Sequence, residues 1–221
     1  MTKGILLAGN ASALLGAVEA ELAKRVERYA LVAIPNRFSG STDVADAPPE
    51  AVPEKARVPL DWNPGSAVSA RALVLAVENR LGHADEAILV CSPPVTPADP
   101  RPVDVEVLAN DYVKSWLFLT RELTASFRAR GRGSLVLVFP ENGGRDGDAD
   151  VLGSVAAASF RSVAKGLLAR AAEEPYLVQG FTGGEPGHDA AFASFIFRQL
   201  DDTRRRVSGK LHKYGKSGFF K

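Results

Sequence analysis

Cysteine occurs once in the 221 residues and histidine three times. A lone Cys91 excludes an internal disulfide framework and fits a reducing compartment, so a cytoplasmic location is expected. His83, His188 and His212 lie far apart and show no zinc-ligand spacing. Charge of either sign is not in excess. A formal net charge of +1 gives no electrostatic case for nucleic acid or for an anionic membrane surface. The one basic run, Arg204-Arg205-Arg206, reads as a solvated helix end. No run approaches the roughly 18 apolar residues of a membrane-spanning helix. Residues 4–17 superficially resemble a secretion signal, but Asn10 and Ser12 interrupt them, and 4–9 read well as a buried first strand.

What is present is an alternation. Short apolar runs predict strands at 4–8, 29–34, 56–60, 87–91, 134–139, 176–181 and 207–211. Helical spacing falls between them. Leu14, Val18, Leu22 and Val26 share one face, and 67–81 carries Ala72, Val74, Leu75 and Val77 on its apolar side. A long helix is expected within 104–130, with Val113, Leu117, Leu123 and Phe127 buried. An Ala-rich helix over 151–174 and a helix over 188–200 follow, Asp150 being the natural N-cap of the former. Strands separated by helices imply a parallel sheet covered on both faces. The expected class is α/β, a doubly wound parallel sheet (Rossmann-like), as a single domain over 1–221. Residues 38–55 break the rhythm with Pro48, Pro49 and Pro53. They read as a long surface loop or as a flap beside a nucleotide pocket.

The order of these segments resembles the short-chain dehydrogenase/reductase family over nearly the whole chain. In that family a Ser ends the fifth strand and a Tyr-x-x-x-Lys pair lies on the next helix. Aligned on Ser159 and on 163–172, the Ser position holds Pro140, the Tyr position Ala156 and the Lys position Phe160. The family's first turn, Thr-Gly-x-x-x-Gly-x-Gly, reads Ala8-Gly9-Asn10-Ala11-Ser12-Ala13-Leu14-Leu15. Only Gly9 survives of the glycines that let a pyrophosphate approach and let helix and strand pack closely. The Asn-Ala-Gly turn after the fourth strand is replaced by Ser92-Pro93-Pro94, the Asn of the sixth strand by Gln179, and the Pro-Gly after it by Gly183-Gly184.

The resemblance still implies some site residues. Gly9, Asn36, Arg37, Asp61 and Ser92 fall where the family holds its cofactor, and Arg37 would favour NADP over NAD. Arg37 reads equally as a surface arginine at a strand end. Asn110 falls where the family anchors a water of its proton relay. Glu141, directly after a strand, and Tyr112 are candidates for relocated acid/base groups, Glu141 also reading as a solvated turn residue. Arg161 lies on the Ala-rich helix, where helical phase alone does not decide whether it reaches the same cleft. Residues 143–150 resemble a calcium loop but lack its closing Glu. No Ser-His-Asp arrangement and no elbow motif around Ser159 is visible. The apolar end, 218–221, is expected to pack on this domain or on a neighbouring subunit. Two functional readings follow. One is a member without standard reductase activity, acting by binding or assembly as a homo-oligomer through helices within 104–130 and 151–174, with no nucleic-acid or membrane partner. The other is an NAD(P)-dependent oxidoreductase acting on a carbonyl or alcohol with relocated acid/base residues.

Overall fold

The computed structural model describes residues 3–26, 28–38, 57–140, 150–183, 187–202 and 206–215. Seven strands form one sheet: β1 (Ile5–Asn10), β2 (Tyr29–Ile34), β3 (Arg57–Pro59), β4 (Glu86–Val90), β5 (Ser134–Phe139), β6 (Leu177–Thr182) and β7 (Lys210–Lys213). Their order is β3-β2-β1-β4-β5-β6-β7, and every neighbouring pair is parallel. The chain steps one way from β1 to β3 and the other way from β4 onward. The reversal lies between β1 and β4, where doubly wound sheets bind ligands beyond their carboxyl ends.

Six α-helices cover the sheet: α1 (Ala13–Ala23), α2 (Ala67–Leu81), α3 (Pro102–Val107), α4 (Ser115–Arg130), α5 (Val151–Ala169) and α6 (Asp189–Asp201). Alternate residues of each strand serve opposite layers. Leu6 and Ala8 join Leu73, Trp116, Leu123 and Phe160 on one side of β1, and Ile5 and Leu7 join Val18, Leu22, Phe192 and Ile196 on the other. Asp150 caps α5 as expected, its carboxylate accepting the Gly153 N–H at 2.7 Å. By length and composition α5 could cross a membrane, which the sequence reading did not anticipate. Its Leu152, Ala156, Phe160 and Ala164 are buried within this domain.

Four expectations are corrected. The long helix within 104–130 is interrupted by a π-helical turn, Leu108–Lys114, between α3 and α4. Leu108, Tyr112 and Trp116 repeat every four residues, which drifts off a 3.6-residue stripe, and the wider turn absorbs the drift. Trp116, not Leu117, is therefore buried, and Leu117 is exposed. On α2, Leu73 and Ala70 face inward, while Ala72 and Leu75 are exposed. The Ala-rich helix stops at Ala169, followed by a 3-10 turn at Ala171–Glu173. The last strand begins at Lys210, because Gly209 (φ +81°) turns the chain where a strand was expected.

Candidate functional site

The floor of the reversal point is built by β1, β4 and the start of α1. Gly9 is a close approach: a Cβ there would lie 2.7 Å from the Val90 carbonyl and 2.8 Å from Leu15 Cδ1. Leu15 thus lies against the one retained glycine of the first turn. The Leu15 N–H is donated to Ser12 Oγ at 3.2 Å, closing part of the helix N-terminus on itself. One residue beyond Gly9, Asn10 is buried and clamps β1 to the end of β4 in both directions. Its Nδ2 donates to the Ser92 carbonyl at 2.7 Å, and its Oδ1 accepts the Ser92 N–H at 2.8 Å. Ser92 therefore belongs to a backbone clamp.

The chain leaving β2 passes over this floor. Asn36 Nδ2 donates to the Val95 carbonyl, beyond β4, at 3.1 Å, and Asn36 Oδ1 accepts the Phe38 N–H at 3.2 Å. Arg37 Nε donates to Asp111 Oδ2 at 2.8 Å, and its terminal nitrogen pairs with Oδ1. Asp111 is fully buried and Arg37 is half exposed. Phe38 stacks on Tyr112 at 5.5 Å, and both join Leu108, Leu152 and Ala156 in a small apolar cluster. Burial, then the Asp111 carboxylate, pushes the Tyr112 phenol above its ordinary range. Tyr112 stays protonated near neutrality and has almost no surface to offer a reactant.

The third wall is α5. Ala156 is fully buried in the cluster just described. Phe160 is fully buried one turn later and meets Trp116 edge-on at 4.9 Å and Phe139 at 5.9 Å. Ser159 between them donates to the Tyr112 carbonyl at 2.9 Å, tying α5 to the π-helical turn. Pro140, ending β5, is half-buried.

No family model and no curated protein sequence matches the chain. Solved structures do. ElxO with NADP bound superposes with a TM-score of 0.73 at 11% identity, covering 96% of this chain and 97% of that one. A short chain dehydrogenase from Bacillus anthracis gives 0.73 at 13% identity, covering 96% and 94%. One from Mycobacterium smegmatis gives 0.71 at 15%, covering 96% and 91%. The chain has the short-chain dehydrogenase/reductase fold.

Around the reversal point Leu15 lies against Gly9, Asn36 bridges to Val95 and Phe38 stacks on Tyr112, contacts that the chain makes with itself. The remaining expected positions are scattered. Asp61 is exposed beyond β3, and Asn110 is half-buried, its Oδ1 accepting Lys114 Nζ at 2.9 Å. Gln179 is buried in β6 with its amide nitrogen 3.5 Å from His212 Nε2. Arg161 is half-buried on α5. Glu141, 39–55, 143–149 and 218–221 lie outside the described residues. Among the described residues no group of three or more His, Cys, Asp and Glu could hold a metal. Asn10, Phe38 and Asp111 were not anticipated as site residues. Asn10 carried a signal, a polar residue closing an apolar run, whereas Asp111 and Phe38 carried none.

Proposed function

We propose that this protein is a divergent short-chain dehydrogenase/reductase without standard reductase activity, acting by binding or assembly. The observation that carries this reading is the burial of Ala156 and Phe160 at the positions of the family's Tyr and Lys. A methyl group and a phenyl ring inside a packed core transfer no proton. Exposed Leu117, Val151 and Val155 on α4 and α5 support a homo-oligomer built through these helices. The single buried Cys91 fits a cytoplasmic protein. The test is a titration with NADPH and NADH, read by cofactor fluorescence and thermal shift, with an aldehyde screen alongside. The reading expects neither saturable binding nor turnover. Saturable NADPH binding with turnover would replace it by the second reading, an NAD(P)-dependent oxidoreductase with relocated acid/base groups. One observation favours that alternative: a structure with the same fold, ElxO, carries NADP. Arg37 would then face the adenosine phosphate, and Asn110, Tyr112 and Glu141 would be the groups to mutate.

A further inference from the structure

From the contacts that the end of β2 makes across the reversal point we infer that Asn36–Phe38 is an autoinhibitory strap, a segment of the chain itself that closes the ligand groove and is latched by the Arg37–Asp111 pair. The topology forces the crossing. β1 lies between β2 and β4, so any contact from the end of β2 to the segments following β4 passes over the carboxyl end of β1. Two strand spacings amount to about 10 Å, which three or four extended residues span. Asn36, Arg37 and Phe38 make that span, each with its own anchor: the Val95 carbonyl, the Asp111 carboxylate and the Tyr112 ring.

The strap is built to stay shut. Asp111 is fully buried and its carboxylate pairs with Arg37, so releasing Arg37 strands a carboxylate in the interior. Phe38 is buried only because Tyr112, Leu108, Leu152 and Ala156 cover it. Ala156 is part of that cover: a bulkier side chain at this position would compete with Phe38 for the same space. The strap closes the groove whether or not the protein is an enzyme, so its test uses no cofactor.

Cys91 supplies the reporter. It follows β4 directly, at the carboxyl edge that the strap crosses, and is buried. It is the sole cysteine of the chain, so modification reports this place alone. The rate of Cys91 modification by a small maleimide is measured at pH 8 in the full chain, under conditions where circular dichroism shows the fold intact. Phe38→Ala and Arg37→Gln are each expected to raise the rate about tenfold or more, because each removes one anchor of the closed state. Phe197→Leu, in the opposite layer, controls for general destabilisation and is expected to leave the rate near that of the wild type. If Phe38→Ala does not fold, Arg37→Gln carries the test. Rates no faster than the control would overturn the strap, as would a wild-type Cys91 that reacts as fast as a free thiol. Because dinucleotide binding is not the readout, failure of the strap and failure of the non-reductase reading are separately visible.

Discussion

Replacing Phe160 with lysine restores the residue type that the family uses at this position, and it should be among the most destabilising single changes on α5. Here Phe160 has no exposed surface and makes edge-on contacts to Trp116 and Phe139. Truncating a buried phenylalanine costs about 3–5 kcal/mol, and an ammonium left in an apolar layer adds to that, so about 4–6 kcal/mol is expected. Total stability of a domain is about 5–15 kcal/mol, so much of the margin would be used. At roughly 2–4 °C per kcal/mol for a chain of this size, the melting temperature should fall by roughly 8–24 °C. Phe160→Leu is the milder companion. It keeps the site apolar but loses the two aromatic contacts, for about 1–3 kcal/mol. Urea denaturation and thermal melts of the three proteins decide the matter. Surface substitutions stay within about 0.5 kcal/mol. A Phe160→Lys protein that loses less than about 1 kcal/mol would mean that this position faces solvent, and the argument against family chemistry would fail.

Burial pushes the Cys91 thiol up to about 12, against an ordinary value of 9.0. The unfolded chain therefore loses its thiol proton first, so stability should decline between about pH 9 and 12, and Cys91→Ala should flatten the first part of that decline in pH-dependent urea midpoints. Tyr29 and Tyr112, both raised mainly by burial, add to the decline in the same direction at higher pH. Glu19 accepts from the Tyr29 hydroxyl at 2.6 Å and from Arg57 at 2.6 and 2.8 Å, and it is buried. Glu19→Gln should cost about 2–3 kcal/mol in chemical denaturation, less than a fully buried pair because Arg57 keeps partial solvent contact. Sedimentation should show a wild-type dimer or tetramer, with Leu117→Arg or Val155→Arg shifting it toward monomer; an unshifted mass would remove α4 and α5 from the interface.

The framework was legible because it rests on periodicity and punctuation. β2, α2 and β5 fall where their apolar runs begin and end, since Gly, Pro and polar turns bound them on both sides. The π-helical turn was not legible, because nothing in composition marks it. Its trace is the four-residue repeat of Leu108, Tyr112 and Trp116, which a 3.6-residue template blurs. The site was legible as a set of losses and not as a set of contacts. Reading Ala156 and Phe160 against the family shows which groups are gone. Only the fold shows that Phe38, four residues past β2, reaches Ala156 on a helix more than a hundred residues later. Sequence proximity carries no information about that pairing. Asp111 was overlooked for a related reason: next to Asn110 it reads as one more solvated polar residue, and its burial depends on which way the widened turn faces it.

The residues at the family's site positions fall in three apolar clusters, and Phe38 and Ala156 share one of them, which bears on what a single reversal could achieve. Leu15 occupies the volume over Gly9, and Phe38 rests on Tyr112 beside Ala156. Phe160 fills the layer between Trp116 and Phe139. Leu15, Phe160 and Phe38 thus belong to three separate apolar clusters, each held by its own neighbours. Restoring a tyrosine at 156 alone would drive a phenol into the space of Phe38, and restoring a lysine at 160 alone would bury an amine. Contacting substitutions of this kind do not add independently. On the non-reductase reading, dinucleotide chemistry would need the glycine turn, the strap and both α5 positions to change together. Only a combined variant that binds NADPH when none of its component single variants does would demonstrate that coupling; if one single change sufficed, the four positions would be independent and the groove would be open in all but one place.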